Sequence, residues 1–147
     1  MGIAFELKSH CLRAPEERRI LARKLRALIG RYGFHDDCFV FSKDYDTLAQ
    51  IRELDEKIVL GIIPPEDADK ALSLMAQLRA EIYLDYLDAM SEPLVRRLHA
   101  AGYLVDGSVA DTEAQYEKAL SLGVDMVESD DPIPMRSIAD RGRKTDS

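Results

Sequence analysis

Short β-rich runs alternate with longer amphipathic segments along almost the whole chain, and this alternation constrains the fold more than any single motif does. The opening run "IAFELKS" is followed by "APEERRILARKLRALIGRYG", which places Ile20, Leu21, Leu25, Leu28 and Ile29 at helical spacing. Pro15 suits a first helical turn, and Gly30 or Gly33 can end the helix. "CFVFS" and "KIVLGII" are continuous apolar runs of the kind expected in strands covered on both faces. Between them "YDTLAQIRELD" turns Leu48, Ile51 and Leu54 to one side, and "PPEDADKALSLMAQLRA" then does the same with Ala68, Ala71, Leu72, Met75 and Leu78.

The second half repeats the pattern. "EIYLDYL" reads as a strand interrupted by polar residues, and "SEPLVRRLHAAG" as a helix marked by a Ser cap, an early Pro and a terminal Gly. "YLVDGSVA" reads as a strand containing a glycine. "DTEAQYEKALSLG" reads as a helix capped by Asp111, with Ala114 where a capping box would have Glu. "VDMVESD" closes the series, and "DPIPMRSIADRGRKTDS" reads as a short helix or loop running into a frayed polar tail. Strands alternating with helices imply parallel pairing and right-handed crossovers. The expected fold is α/β: an incomplete (β/α)8 TIM-type barrel of about six parallel strands over residues 1–135, followed by a polar tail over 136–147.

The 147 residues are 46% hydrophobic and 32% charged, enough for one domain with a real core. A net charge of −7 argues against non-specific nucleic-acid or anionic-membrane binding. No apolar run approaches the roughly 20 residues of a membrane span, and nothing resembles a signal peptide. Cys11 and Cys38 lack CxxC spacing and are expected as free thiols, consistent with a cytoplasmic location.

Side chains alternate across a strand, so Glu6 and Lys8 should face the same way, opposite Ile3, Phe5 and Leu7. At the C-terminal rim of a barrel strand, a carboxylate can ligate a divalent cation and an ammonium can meet an anionic group. A simple Glu6–Lys8 ion pair at a strand end accounts for the same spacing.

Several segments together resemble the glycerophosphodiester phosphodiesterase family, a TIM barrel of the phosphatidylinositol-phospholipase-C-like group. "FELK" resembles the family's Glu-x-Lys strand. "CFVFSKDYDTLAQIREL" is similar to its Ser-Phe-Asp strand and helix, with Lys43 in place of Phe, and "KIVLGII" to the strand after it. In "PLVRRLHAAGYLVDGSVADTEAQYEKALSLGVDMVESDDP", Gly123, Val124, Asp125, Asp130 and Pro132 fit the family's closing Gly-Val-Asp motif. The resemblance covers residues 3–132. It implies that Glu6 is a ligand for Ca²⁺ or Mg²⁺ and that Lys8 binds phosphate, with Ser42 and Asp130 near the rim. The implied ligand is a glycerophosphodiester or another phosphorylated small molecule.

The departures concern catalysis. The family's His-Arg and Glu-x-Asp strands and its early His-Asp motif, which supply the acid/base histidines and two of three metal carboxylates, have no counterpart here. His35–Asp36 lies after the Glu-x-Lys strand and does not replace them, and Gly107 stands near the family's Trp, removing a wall from the alcohol subsite. No catalytic residue is therefore assigned, and the chain alone is expected to be inactive or weakly active. It is about 100 residues short of a typical barrel. Three arrangements stay open: a fragment of a longer protein, a chain completed by a second polypeptide, or a shortened non-catalytic relative. The reading favours a truncated family member, and open sheet edges raise the expectation of homo-oligomers. The alternatives are a non-catalytic binding or scaffold module for an anionic ligand, and an unrelated open α/β domain with a different strand order.

Other features have plain structural readings. The first helix's Arg13, Arg18, Arg19, Arg23, Lys24, Arg26 and Arg31 read as a solvated outer face, His10–Cys11 as loop chemistry, and His35 as a solvated loop residue. His99 reads as a helix-end residue, and "ESDD" as an acidic strand end.

Overall fold

A computed structural model describes residues 3–12 and 14–145. Arg13 of the basic run and the last two residues of the expected tail lie outside them. Six strands alternate with six α-helices, and the strand order in the sheet is β1-β2-β3-β4-β5-β6. That sequential order is the one an incomplete (β/α)8 barrel requires, and it is not the rearranged order of an unrelated open α/β domain. Two compact units divide the chain, one ending at Tyr83 and the other starting at Leu84.

The first unit contains β1 (Ile3–Glu6), α1 (Pro15–Tyr32), β2 (Cys38–Ser42), α2 (Tyr45–Leu54), β3 (Val59–Ile62), α3 (Ala68–Leu78) and the start of β4 (Ile82–Tyr86). Pairing is parallel, with Glu6 opposite Phe41, Phe41 opposite Gly61 and Gly61 opposite Ile82. Paired residues share a face, so Glu6, Phe39, Phe41 and Gly61 lie together, while Val40, Leu60 and Ile62 lie on the other side. Val40, Leu60 and Ile62 are fully buried, as are Leu48 and Ile51 of α2 and Ile29 of α1. Burial of each such side chain contributes roughly 1.5–3 kcal/mol. Gly61 keeps the opposite face flat: a Cβ there would lie 3.1 Å from Phe41 Cβ, beside the Phe39–Phe41 ring pair.

Helix ends follow local chemistry. Gly33, with φ +67°, ends α1, so the helix runs through Gly30. Asp67 caps α3 through the backbone N–H groups of Asp69 and Lys70, which delays the helix beyond Pro64 and Pro65. Arg52, buried on α2, donates to the carbonyls of Glu56, Ile58, Leu78 and Arg79 and to the Glu81 carboxylate, tying the ends of α2 and α3 to the loops beside them.

The second unit holds the rest of β4, α4 (Glu92–Ala100), β5 (Leu104–Ser108), α5 (Glu113–Leu122), β6 (Met126–Val127) and α6 (Pro132–Thr145). β5 and β6 pair in parallel. The cap of α5 is Thr112 and not Asp111: Thr112 Oγ1 accepts from Gln115 N, and Gln115 Oε1 accepts from Thr112 N, closing a capping box one residue later than expected. Gln serves at N3 as Glu would. The segment read as a frayed tail is helical to Thr145. Met135 and Ile138, three residues apart, pack on a cluster with Leu87, Ala110, Ala119, Tyr116 and Leu122, and that burial offsets the polar composition.

Candidate functional site

The C-terminal end of β1 carries the two residues singled out by the sequence. The strand ends at Glu6, and Lys8 has already turned to φ −85°, ψ +42° to begin a 3-10 turn over Ser9–Cys11. Lys8 is thus not a strand residue, contrary to the alternation argument. Its side chain nevertheless returns to Glu6, with Nζ 3.3 Å from Oε2. Lys8 is 70% exposed and Glu6 38% exposed. An exposed pair of this kind is worth about 0–1 kcal/mol, so the ammonium can be redirected to another anion at little cost.

The backbone beneath the pair is held firmly. Leu7 N donates to Phe41 O, and Ser42 Oγ donates to Leu7 O at 2.5 Å. Asp44 N donates back to Ser42 Oγ. Asp44, nearly buried, caps α2 through Thr47 and pairs with Arg18 at 2.8 Å. Burial pushes the Asp44 carboxyl up, but the hydrogen bonds from Thr47 and the Arg18 charge outweigh it and hold it below its usual range. Ser42 is therefore a buried clasp between β1 and β2, and Asp44 is the carboxylate that sequence reading missed there; the signal was Asp three residues before Thr47 at a helix start.

A hard divalent cation takes six or more oxygens. Among the described residues no group of three or more His, Cys, Asp or Glu side chains could hold one. Glu6 offers one carboxylate, already facing an ammonium. These residues do not by themselves fit a Ca²⁺ or Mg²⁺ site.

The second unit has its own unusual carboxyl. Asp106 on β5 is 2% exposed, and its Oδ1 has no hydrogen-bond partner. Burial, and secondarily the charge of Glu128, pushes its pKa up to about 7. Nothing in "YLVDGSVA" announced this, because burial of a strand carboxyl is set by tertiary packing. Gly107, next to it, points the other way: a Cβ there would lie 2.5 Å from Leu87 Cδ2 and 3.5 Å from Val124 Cγ2. Packing against Leu87 favours glycine at this position, and Asp106 is the residue on the opposite face. A cavity of about 560 Å³ opens beyond the ends of β4 and β5, lined by Tyr86, Asp88, Ser108 and Lys118 among others. Lys118 Nζ donates to Asp88 there at 2.6 Å.

The remaining polar residues have structural partners. His35 is not a solvated loop residue: its Nε2 lies 3.1 Å from Asp55 Oδ2 at the end of α2, and it is partly buried. His99, in the last turn of α4, meets Asp125, which also accepts from Val105 N. Asp130 is exposed, and its N–H donates to Asp111. Cys11 and Cys38 are free thiols. Arg18, Arg19 and Arg26 pair with Asp44, Glu16 and Asp55. No described helix is long and apolar enough to cross a membrane.

The chain matches no family model and no curated protein sequence. Among solved structures it is similar to a glycerophosphodiester phosphodiesterase from Parabacteroides distasonis, with a TM-score of 0.78 at 20% identity over 96% of this chain and 58% of that one. It is also similar to an Oleispira antarctica phosphodiesterase solved with its product sn-glycerol-3-phosphate, with a TM-score of 0.81 at 20% identity over 95% of this chain and 56% of that one. A glycerophosphodiester phosphodiesterase from Agrobacterium tumefaciens gives 0.71 at 20% identity over 95% and 56%. The fold is that of these enzymes, and the chain spans just over half their length.

Proposed function

We propose that this chain is a partial glycerophosphodiester-phosphodiesterase-type barrel that binds a phosphorylated small molecule through Lys8 and does not hydrolyse it with its own residues. One observation carries the reading: an ammonium 70% exposed and paired with the neighbouring Glu6 carboxylate stands at the C-terminal end of a parallel strand, in a fold shared with phosphodiesterases. In parallel α/β sheets that end is where ligands dock. The ligand class is a glycerophosphate or glycerophosphodiester.

The chemistry assigned to the chain is recognition. Lys8 exchanges its contact with Glu6 for a phosphoryl oxygen, forming a charge-assisted hydrogen bond of about 2.7–2.9 Å. Glu6 opposes the incoming anion and keeps Lys8 near the strand end until a ligand arrives. Hydrolysis requires a group to protonate the leaving alcohol and one to activate the nucleophile. His35 precedes β2 and His99 lies in the last turn of α4, each at the N-terminal end of the strand that follows it and not at the ligand end, so neither is placed for these roles. No step is assigned to a metal, because Glu6 alone cannot complete its coordination.

Calorimetric titration with sn-glycerol-3-phosphate, with and without Ca²⁺, tests this directly. Saturable binding that does not need the cation is expected, together with no release of alcohol from a glycerophosphodiester. Turnover by the chain alone overturns the non-catalytic part, and absence of binding overturns the recognition part.

A further inference from the structure

The cavity beyond the ends of β4 and β5 is built wholly within the second unit, and local structure sets its frame. After β4 the chain turns at once, with Ala89 N donating to Tyr86 O. Leu87 N donates to Ser108 O at 2.8 Å, which fixes the loop after β4 to the end of β5. The capping box at Thr112 then starts α5 four residues beyond that strand. Gln115 and Lys118 stand three residues apart and so share one face of α5. These segments enclose about 560 Å³, with Leu87 and Val109 as apolar wall and Tyr86, 68% exposed, beside them.

The polar groups lining this cavity are mostly donors. Gln115 Oε1 already accepts from Asp111 N, Thr112 N and Thr112 Oγ1, so the group its amide has left is the NH2. Among the described residues that NH2 donates to no acceptor, and the Ser108 hydroxyl has no hydrogen-bond partner. Lys118 Nζ has three N–H groups and gives one to Asp88 Oδ1 at 2.6 Å. The Asp88 side chain is 94% exposed and that of Lys118 42%. So open an ion pair adds little to stability, and Asp88 can swing into water and release the ammonium at little cost. A concavity of this size with an apolar wall and a few convergent polar groups has the form of a small-molecule site.

A surplus of donors around a lysine suits an oxyanion. A phosphomonoester presents three terminal oxygens to such donors, and a carboxylate only two. The wall of Leu87, Val109 and the Tyr86 ring suits an apolar carbon body better than a polyol. We propose that this cavity binds a small phosphomonoester with an apolar body, Lys118, Gln115 and Ser108 donating to its phosphoryl oxygens and its body lying against Val109 and Tyr86. Binding exchanges the Lys118 contact with Asp88 for one with a phosphoryl oxygen. The inference does not rest on Lys8, which belongs to the other unit, so either reading can fail alone.

An NMR titration of the isotope-labelled full chain with phenyl phosphate tests this, with sn-glycerol-3-phosphate and inorganic phosphate as comparison arms. Phenyl phosphate should shift the amide signals of Ser108, Gln115 and Lys118 saturably, and the other two should act on the same signals more weakly. Lys118→Gln, a surface change, should weaken phenyl phosphate binding at these signals about tenfold or more while the rest of the spectrum stays that of the folded chain. Asp88→Asn, which removes the competitor for the ammonium, should leave the affinity equal or raised. Lys8→Gln should leave this set of shifts unchanged. Absence of saturable shifts at the three residues, equal affinity in Lys118→Gln, inorganic phosphate binding as tightly as the phenyl ester, or loss of the shifts in Lys8→Gln would each overturn the proposal.

Discussion

Lys8 Nζ lies 3.3 Å from Glu6 Oε2 although only Glu6 belongs to strand β1. The two side chains meet because the backbone turns after Leu7, whose carbonyl is held by Ser42, and not because a strand alternates beneath them. The pair is thus a flexible amine over a fixed carboxylate. Glu6→Gln removes the competitor for the ammonium and should leave sn-glycerol-3-phosphate affinity equal or raised. A metal-bridged site would instead lose affinity with Glu6→Gln, and calorimetry on the two proteins separates the cases.

Asp106 should make stability depend on pH. Its carboxyl stays protonated in the fold up to about pH 7, whereas an unfolded Asp ionises near 4. Between those values the folded chain binds more protons, so this contribution is full below about pH 4, declines as pH rises and is gone above about pH 7. Asp106→Asn removes that slope. Relative to wild type it should melt at a higher temperature at pH 8 than its difference at pH 4 would give, a divergence worth up to about 4 kcal/mol. Parallel melting curves across this range would contradict the burial of an unpaired carboxyl.

Arg52 is buried and satisfies four carbonyls. Arg52→Ala orphans those acceptors and should cost about 3 kcal/mol or more in chemical denaturation. Glu81→Gln, at the half-exposed end of the same pair, should cost about 1 kcal/mol or less.

Gly107→Ala should cost about 1–3 kcal/mol by overpacking against Leu87. Leu87→Ala in the same chain should recover part of the Gly107→Ala loss by making room, so a double-mutant cycle will show coupling. Strict additivity would mean the contact is not the cause.

Much of the architecture was readable because it is periodic. Leu48, Ile51, Met75 and Leu78 recur at helical spacing, CFVFS is a strand from end to end, and strand–helix alternation implies parallel order. Boundaries set by single hydrogen bonds were not readable: Thr112 and Asp111 are both good caps, and only the Gln115 side chain decides between them. The full length of the helix over 132–145 was hidden by its polar composition, since Met135 and Ile138 count only once a cluster exists to receive them. At the site, the Glu6–Lys8 proximity was legible, but the turn that produces it was not. Asp44 could have been read as the cap of α2, but its pairing with Arg18, the burial of Asp106 and the Asp55 contact of His35 depend on residues brought together by folding and left little trace in local sequence.

The central claim is that Lys8 is the phosphate-recognising group, and the most direct measurement is calorimetric titration of sn-glycerol-3-phosphate into wild type and Lys8→Gln. The account predicts saturable binding by wild type and a loss of about tenfold or more in affinity for Lys8→Gln, with unchanged melting temperature because the replaced ion pair is exposed. Equal affinity in the two proteins would contradict it.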